Sequence, residues 1–180
     1  MTNAMTGVVA STGGLAETTQ YLTFQLGGEM FAIGILAIKE IIEYGTPTVV
    51  PMMPPTVRGV INLRGAVVPV MDLQARFGQP SSAVGKRTCI VIVEVPAGEE
   101  YQVVGVVVDA VNEVVDIGPS DIEPTPSFGA RIRTDFIEGM GKVKGRFVIL
   151  LNLERVLSLE EMATQLATQL ATLAQQPVEA

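Results

Sequence analysis

GVINLRGAVVPVMDLQARF, residues 59–77, recurs without a gap as GMGKVKGRFVILLNLERVL, residues 139–157. Gly59, Gly65, Val68 and Leu73 meet Gly139, Gly145, Val148 and Leu153, identical and each displaced by 80 positions. Arg64 meets Lys144, Asp72 meets Asn152 and Phe77 meets Leu157. The stretch reads as two short strands hinged at a turn near Arg64-Gly65. Upstream, AIKEIIE (37–43) meets AVNEVVD (110–116) at a displacement of 73. The two displacements differ by seven residues, which a Pro-rich connector absorbs at little cost.

Working outward, YLTFQL (21–26) alternates Leu22, Phe24 and Leu26 with Thr23 and Gln25, the period of a half-buried strand. Gly27-Gly28 suits a tight hairpin turn, and EMFAIGILA returns as the second strand. AIKEIIEY reads as a strand, because β-branched residues and short length favour one over a helix. GTPTVVPMMPP (45–55) reads as a connector, because proline lacks the N–H a central ladder needs. After the linker-like GQPSSAVGK (78–86) the pattern restarts with CIVIVEV, the turn PAGEE and YQVVGVVVDAVNEVVDI. Each copy is thus a hairpin, a strand, a Pro-bearing connector and two more strands. Five short strands are enough to curl a sheet closed and remove its edges.

The expected fold is all-β: two five-stranded barrels side by side, from residues 19–82 and 83–157. Residues 1–18, small and polar, read as a flexible tail. Residues 158–176 change period. Ser158 and Glu161 are spaced as a capping box, and Leu159, Met162, Leu166, Leu170 and Leu173 share one helical face. The spacing predicts a C-terminal amphipathic α-helix, stopped by Pro177.

Composition narrows the function. Of the 180 residues 48% are hydrophobic and 17% charged, against about 25% charged in average soluble domains. A barrel of roughly 70 residues has much surface for its volume, so aliphatic patches are expected outside as well as inside. Net charge is −7, which lacks the basic footprint of a nucleic-acid binder. Arg131, Arg133, Lys142, Lys144 and Arg146 cluster locally, as a solvated face or as a dock for an acidic partner. Cys89 is alone, so no intrachain disulfide is expected. No Lys or Arg precedes Lys39, unlike a secretory signal, and no apolar run is long enough to span a membrane. The expected location is cytoplasmic.

Chemistry is sparse. The chain has no histidine, which removes the usual general base and most zinc sites. Glu40, Asp72, Glu113 and Asp116 sit at strand ends, where solvation or ion pairing is the ordinary fate of a carboxylate. GMGKVKG lacks the spacing of a phosphate loop and reads as turn chemistry. No catalytic residue, metal or cofactor is expected. What remains is surface. The repeat pairs Glu40 with Arg64 and Glu113 with Lys144, each a candidate ion pair tying a strand to the hinge. Exposed pairs of this kind contribute little to stability. Arg64 offers a rigid two-pronged donor where Lys144 is a point charge. It either orders its turn by bonding carbonyls or meets a partner's carboxylate.

VRGVINLRGAVVPVMDLQARFG, together with YLTFQLGGEMFAI, AIKEIIE and VVGVVVDAVNEVVDI, resembles the CheW family of bacterial chemotaxis adaptors. The likeness runs from about Tyr21 to Met162. It implies two SH3-like five-stranded barrels and a cytoplasmic scaffold recruited to membrane-associated chemoreceptor arrays. The implied partners are the regulatory domain of the histidine kinase CheA and the tip of a chemoreceptor's helical hairpin, held in a groove between the barrels. No nucleic acid and no direct membrane insertion are implied. The family's arginine falls on Arg64 and its glutamate on Glu40, while Ile38, Gly59, Val111 and Val114 match positions tied to partner binding. Chain length favours the free-standing adaptor over the related parts of CheV and CheA. Two alternatives stay open: a small-ligand-binding barrel module, and an adaptor of a related pathway such as twitching motility.

Overall fold

The computed structural model describes residues 18–54, 56–80, 83–125 and 134–158. The helix expected over 158–176 and the tail over 1–18 lie outside these, apart from the boundary residues Ser158 and Thr18. Among the described residues the first copy of the repeat supplies five strands: β1 (Thr19–Leu26), β2 (Glu29–Gly34), β3 (Ile38–Glu43), β4 (Val57–Leu63) and β5 (Ala66–Asp72). The second supplies β6 (Cys89–Ala97), β7 (Glu100–Val108), β8 (Ala110–Ile117), the two-residue β9 (Ile122–Glu123), β10 (Ile137–Val143) and β11 (Arg146–Leu151). One helical turn closes each copy, α1 (Leu73–Arg76) and α2 (Leu153–Val156).

The strands form two sheets, each curled into a small SH3-like barrel. One has the order β8-β1-β2-β11-β10-β9, the other β3-β6-β7-β5-β4. Both orders read third strand, hairpin, fifth strand, fourth strand, with β9 added at the end of the first. The hairpin in each sheet comes from the other copy. β1–β2 of the first half lies among β8, β10 and β11 of the second, and β6–β7 lies among β3, β4 and β5. The division into 19–82 and 83–157 is therefore not the division between sheets. The links explain why. β2 reaches β3 through the short turn Ile35–Ala37, and β7 reaches β8 through Asp109 alone. At these links the chain runs on into the other sheet, whereas at the two-residue turns Gly27-Gly28 and Arg64-Gly65 it folds back within one.

Local geometry repeats to the residue. Arg64 and Lys144 have φ of 52° and 50°, followed by Gly65 and Gly145 at 89° and 80°. A non-glycine residue in this left-handed region marks a turn held by its surroundings. The amides of Asp72 and Asn152 donate to the carbonyls of Thr56 and Phe136, each at 2.7 Å. The side chains of Asp72 and Asn152 then accept from Ala75 N and Arg155 N, each at 3.2 Å, as N-caps of α1 and α2. Both β4 and β10 carry a register shift ending at Gly59 and Gly139. There the connector crosses: Thr48 bridges Val60, and Glu123 pairs with Met140. A Cβ on Gly59, at φ 146°, would lie 2.2 Å from the Thr48 carbonyl oxygen, so only glycine fits.

Each barrel encloses a small core, built on Tyr21, Ala32, Ile117, Val148 and Leu150 in one and Val70, Ile90, Ile92 and Val107 in the other. The largest core lies between the barrels. There Leu22, Phe24 and Phe31 of the first hairpin meet Val91, Val93, Val104 and Val106 of the second. The exchanged hairpins are thus buried on both faces. This explains why CIVIVEV is a continuous apolar run rather than an alternating one. It also corrects the half-buried reading of β1: Thr23 is buried too, its hydroxyl donating to the Glu113 carbonyl at 2.9 Å. Four phenylalanine rings run through the central core, Phe24–Phe31–Phe77–Phe136, with centroids 6.1, 5.7 and 6.0 Å apart. Arg76 of α1 crosses to α2, its Nε donating to the Val156 carbonyl at 2.7 Å, and its guanidinium lies 4.7 Å from the Phe136 ring centre.

Candidate functional site

The left-handed turn at Arg64 throws its side chain outward, over the gap between β4 and β3. Those two strands are the ends of their sheet. Glu40 on β3 receives the guanidinium in a two-pronged pair, Nη2 to Oε1 at 2.9 Å and Nη1 to Oε2. The bond from Arg64 holds the Glu40 carboxyl below its ordinary range, against a smaller opposing effect of desolvation. The same bond raises Arg64. In the other barrel Lys144 reaches Glu113 of β8 by a single contact, Nζ to Oε2, at 3.1 Å. Both pairs expected from the repeat are therefore formed, and each spans the seam where its barrel closes. Neither consumes the exposed donors of its cation: the Arg64 and Lys144 side chains are 71% and 73% exposed.

Apolar surface surrounds both pairs. Lys39, Arg64, Val67 and Tyr101 border a hollow of about 430 Å³. Its counterpart beside Met30, Glu113, Lys144 and Phe147 measures about 210 Å³. Val67, Tyr101 and Phe147 are exposed. Among the other candidate residues, Ile38 and Val111 occupy equivalent places and pack partly on the central core. Val114 is exposed, as is its equivalent Ile41. Gly59 is buried under Thr48, where its visible role is to let the connector pass.

Two features escaped the sequence reading. The first is a buried charge network. Asp72 is fully buried and takes Arg58 Nε at 3.0 Å, while Arg58 Nη1 donates to the Tyr44 hydroxyl at 3.0 Å. Burial works against the Arg58 charge, but its bonds to Tyr44 and Asp72 outweigh that. The second is Arg76, which ties one barrel to the other. Between the sheets lies a cleft of about 530 Å³, lined by Ile35, Leu36, Val95, Pro96, Glu138 and Leu153 among others. Leu36, 97% exposed, stands at it. The reading of EMFAIGILA as one strand is corrected here: β2 ends at Gly34, and Ile35–Ala37 form a turn that carries Leu36 outward.

Among the described residues no three His, Cys, Asp or Glu side chains group to hold a metal. The arrangement offers rigid surfaces: two barrel seams with a charged pair beside apolar side chains, and a cleft between them.

A family profile described as a CheW-like domain matches residues 20–161, which is both barrels. The chain belongs to the CheW-like family. Among its relatives, a chemotaxis protein CheW of Klebsiella aerogenes is 35% identical over 155 residues, 86% of this chain and 91% of that protein. A chemotaxis protein CheW of Rhizobium meliloti is 34% identical over 142 residues, 79% of this chain and 89% of that protein. The crystal structure of the scaffolding protein CheW from Thermoanaerobacter tengcongensis superposes with a TM-score of 0.69 at 34% identity, covering 77% of this chain and 87% of that one. The CheW-like fold is thus shared along most of the length of each. No helix among the described residues is long and apolar enough to cross a membrane.

Proposed function

We propose that this CheW-like chain is a non-catalytic adaptor of bacterial chemotaxis, coupling methyl-accepting chemoreceptors to the histidine kinase CheA. The observation that carries the reading is the family match over both barrels, residues 20–161. It is supported by the way the barrels are joined. Exchanged hairpins and a shared core join the two barrels, so two binding surfaces are held at a fixed distance and angle. A receptor that shifts on one surface then changes how the kinase is held on the other. The adaptor works in the cytoplasm, recruited to membrane-associated receptor arrays through its partners.

The surfaces are assigned as follows. Arg64 and Glu40, with Ile38 beside them, form one partner-binding seam, and Val111 and Val114 form the related seam on the second barrel. Gly59 supports the first seam from beneath. The inter-barrel cleft takes the receptor's helical hairpin tip. The test mixes the purified chain with a soluble chemoreceptor hairpin fragment and the CheA regulatory domain. Arg64→Ala is expected to weaken coupling about tenfold or more while the circular dichroism spectrum stays that of the wild type. Equal binding by Arg64→Ala and wild type would remove Arg64 from the site.

A further inference from the structure

The internal repeat creates two equivalent clefts between the sheets, one at each place where the chain changes sheet. They differ. At the first, Asp109 closes the gap: its N–H donates to the Gln25 carbonyl at 2.9 Å and its carboxylate accepts from Gly27 N at 2.9 Å. The Gln74 side chain packs over the same Gly27. At the second, the longer link Ile35–Ala37 stands away and leaves the 530 Å³ cleft open. The charges differ as well. In the first copy Arg58 is neutralised by Asp72 and bonded to Tyr44. The positions 80 later, Glu138 and Asn152, line the open cleft. The charge is inverted and its internal counter-charge has become a neutral amide. Among the described residues no cation pairs with Glu138. Glu94 and Glu154 line the cleft with it, and Tyr21 lies near enough to feel its charge. Glu94 has Lys39 at 4.0 Å. Glu138 is exposed at the cleft, and partial desolvation there raises its carboxyl.

We propose that the open cleft accepts a helical segment of the partner that presents a lysine or arginine to Glu138 between apolar side chains. Glu138 is then a specificity-determining residue. The inference rests on the reading of the cleft as the receptor-hairpin site and adds to it the charge that the hairpin must carry. The physical reason is that apolar contact around the exposed Glu138 carboxylate excludes water once the partner docks, which strengthens its attraction for the incoming cation. Leu36, Val95, Pro96 and Leu153 supply the apolar contact, and the acidic rim disfavours a partner with carboxylates at the same place.

The test is the affinity of the full chain for a soluble chemoreceptor hairpin fragment, by calorimetry, with Glu138→Gln and Glu138→Lys. Glu138→Gln is expected to lower affinity about tenfold and Glu138→Lys further. An acidic substitution at one hairpin lysine or arginine should restore binding to Glu138→Lys and to no other variant. Carbon-detected NMR should place the Glu138 titration above that of an ordinary glutamate in the free chain and lower it on binding. Unchanged affinity in both variants, while the wild type binds, overturns the inference and leaves the adaptor reading standing. No binding by the wild type removes the adaptor reading itself, and the inference with it. A change in the chain's own dimer mass on Glu138→Lys, with hairpin affinity unaffected, assigns the cleft to a second copy and also overturns it.

Discussion

Two arginines six positions apart have opposite fates. Arg58 is spent inside the fold, and Arg64 is held at the surface with most of its guanidinium exposed. The account therefore predicts opposite phenotypes. Asp72→Asn keeps the N-cap of α1 but leaves the Arg58 charge without its counter-ion. It should destabilise the fold by about 3 kcal/mol, read as a lower urea midpoint; a loss under about 1 kcal/mol contradicts the buried network. Arg64→Ala should lower the urea midpoint only slightly, since the pair is exposed. Its effect on Glu40 is a titration effect. The folded carboxyl lies below its ordinary value because of Arg64. The pair's contribution is thus present above the ordinary carboxylate range and is lost as pH falls through the lowered folded value. In Arg64→Ala the Glu40 titration should move up toward the ordinary glutamate value, and an unmoved midpoint rules out the pair. The Arg64–Glu40 pair was legible in the sequence because the repeat presents it twice. The Arg58–Asp72–Tyr44 network was not: the equivalent positions hold Glu138, Asn152 and Ile117, so the repeat offers no second copy to compare.

At the scale of elements, equivalent glycines differ in how tightly they are enclosed. The Gly59 Cβ position is blocked by backbone, the Thr48 carbonyl. Gly139 lacks the positive φ of Gly59, and its nearest atoms, the Cγ2 methyl of Ile122 at 2.8 Å and the Glu123 carbonyl oxygen at 3.1 Å, leave more room than the 2.2 Å approach at Gly59. Gly59→Ala should therefore cost about 3 kcal/mol and Gly139→Ala about 1 kcal/mol, compared by thermal unfolding. Equal costs would mean that the connector does not cross β4 as described. The strands, turns and connectors were legible because period, glycine and proline mark them locally. The exchange of hairpins was not. Both halves carry the same pattern, so nothing in the alternation says which half a hairpin joins. The decision lies in a core between the barrels that needs both hairpins at once.

The whole molecule is consequently one cooperative unit made from two similar barrels. Residues 19–82 expressed alone lack four strands of one sheet, β8 to β11, and the central hairpin of the other, and residues 83–157 lack the complement. Each piece should be unfolded by circular dichroism and hydrogen exchange, and the two mixed should recover sheet structure; a piece that folds alone as a monomer contradicts the exchange. Cooperativity matters for function, because an adaptor transmits a shift only if its two surfaces cannot move independently. The most direct measurement is the mass, by light scattering after gel filtration, of wild-type chain mixed with the chemoreceptor hairpin fragment and the CheA regulatory domain. The account predicts one species containing all three. Separate binary complexes that exclude one another, or no complex at tens of micromolar, would contradict it.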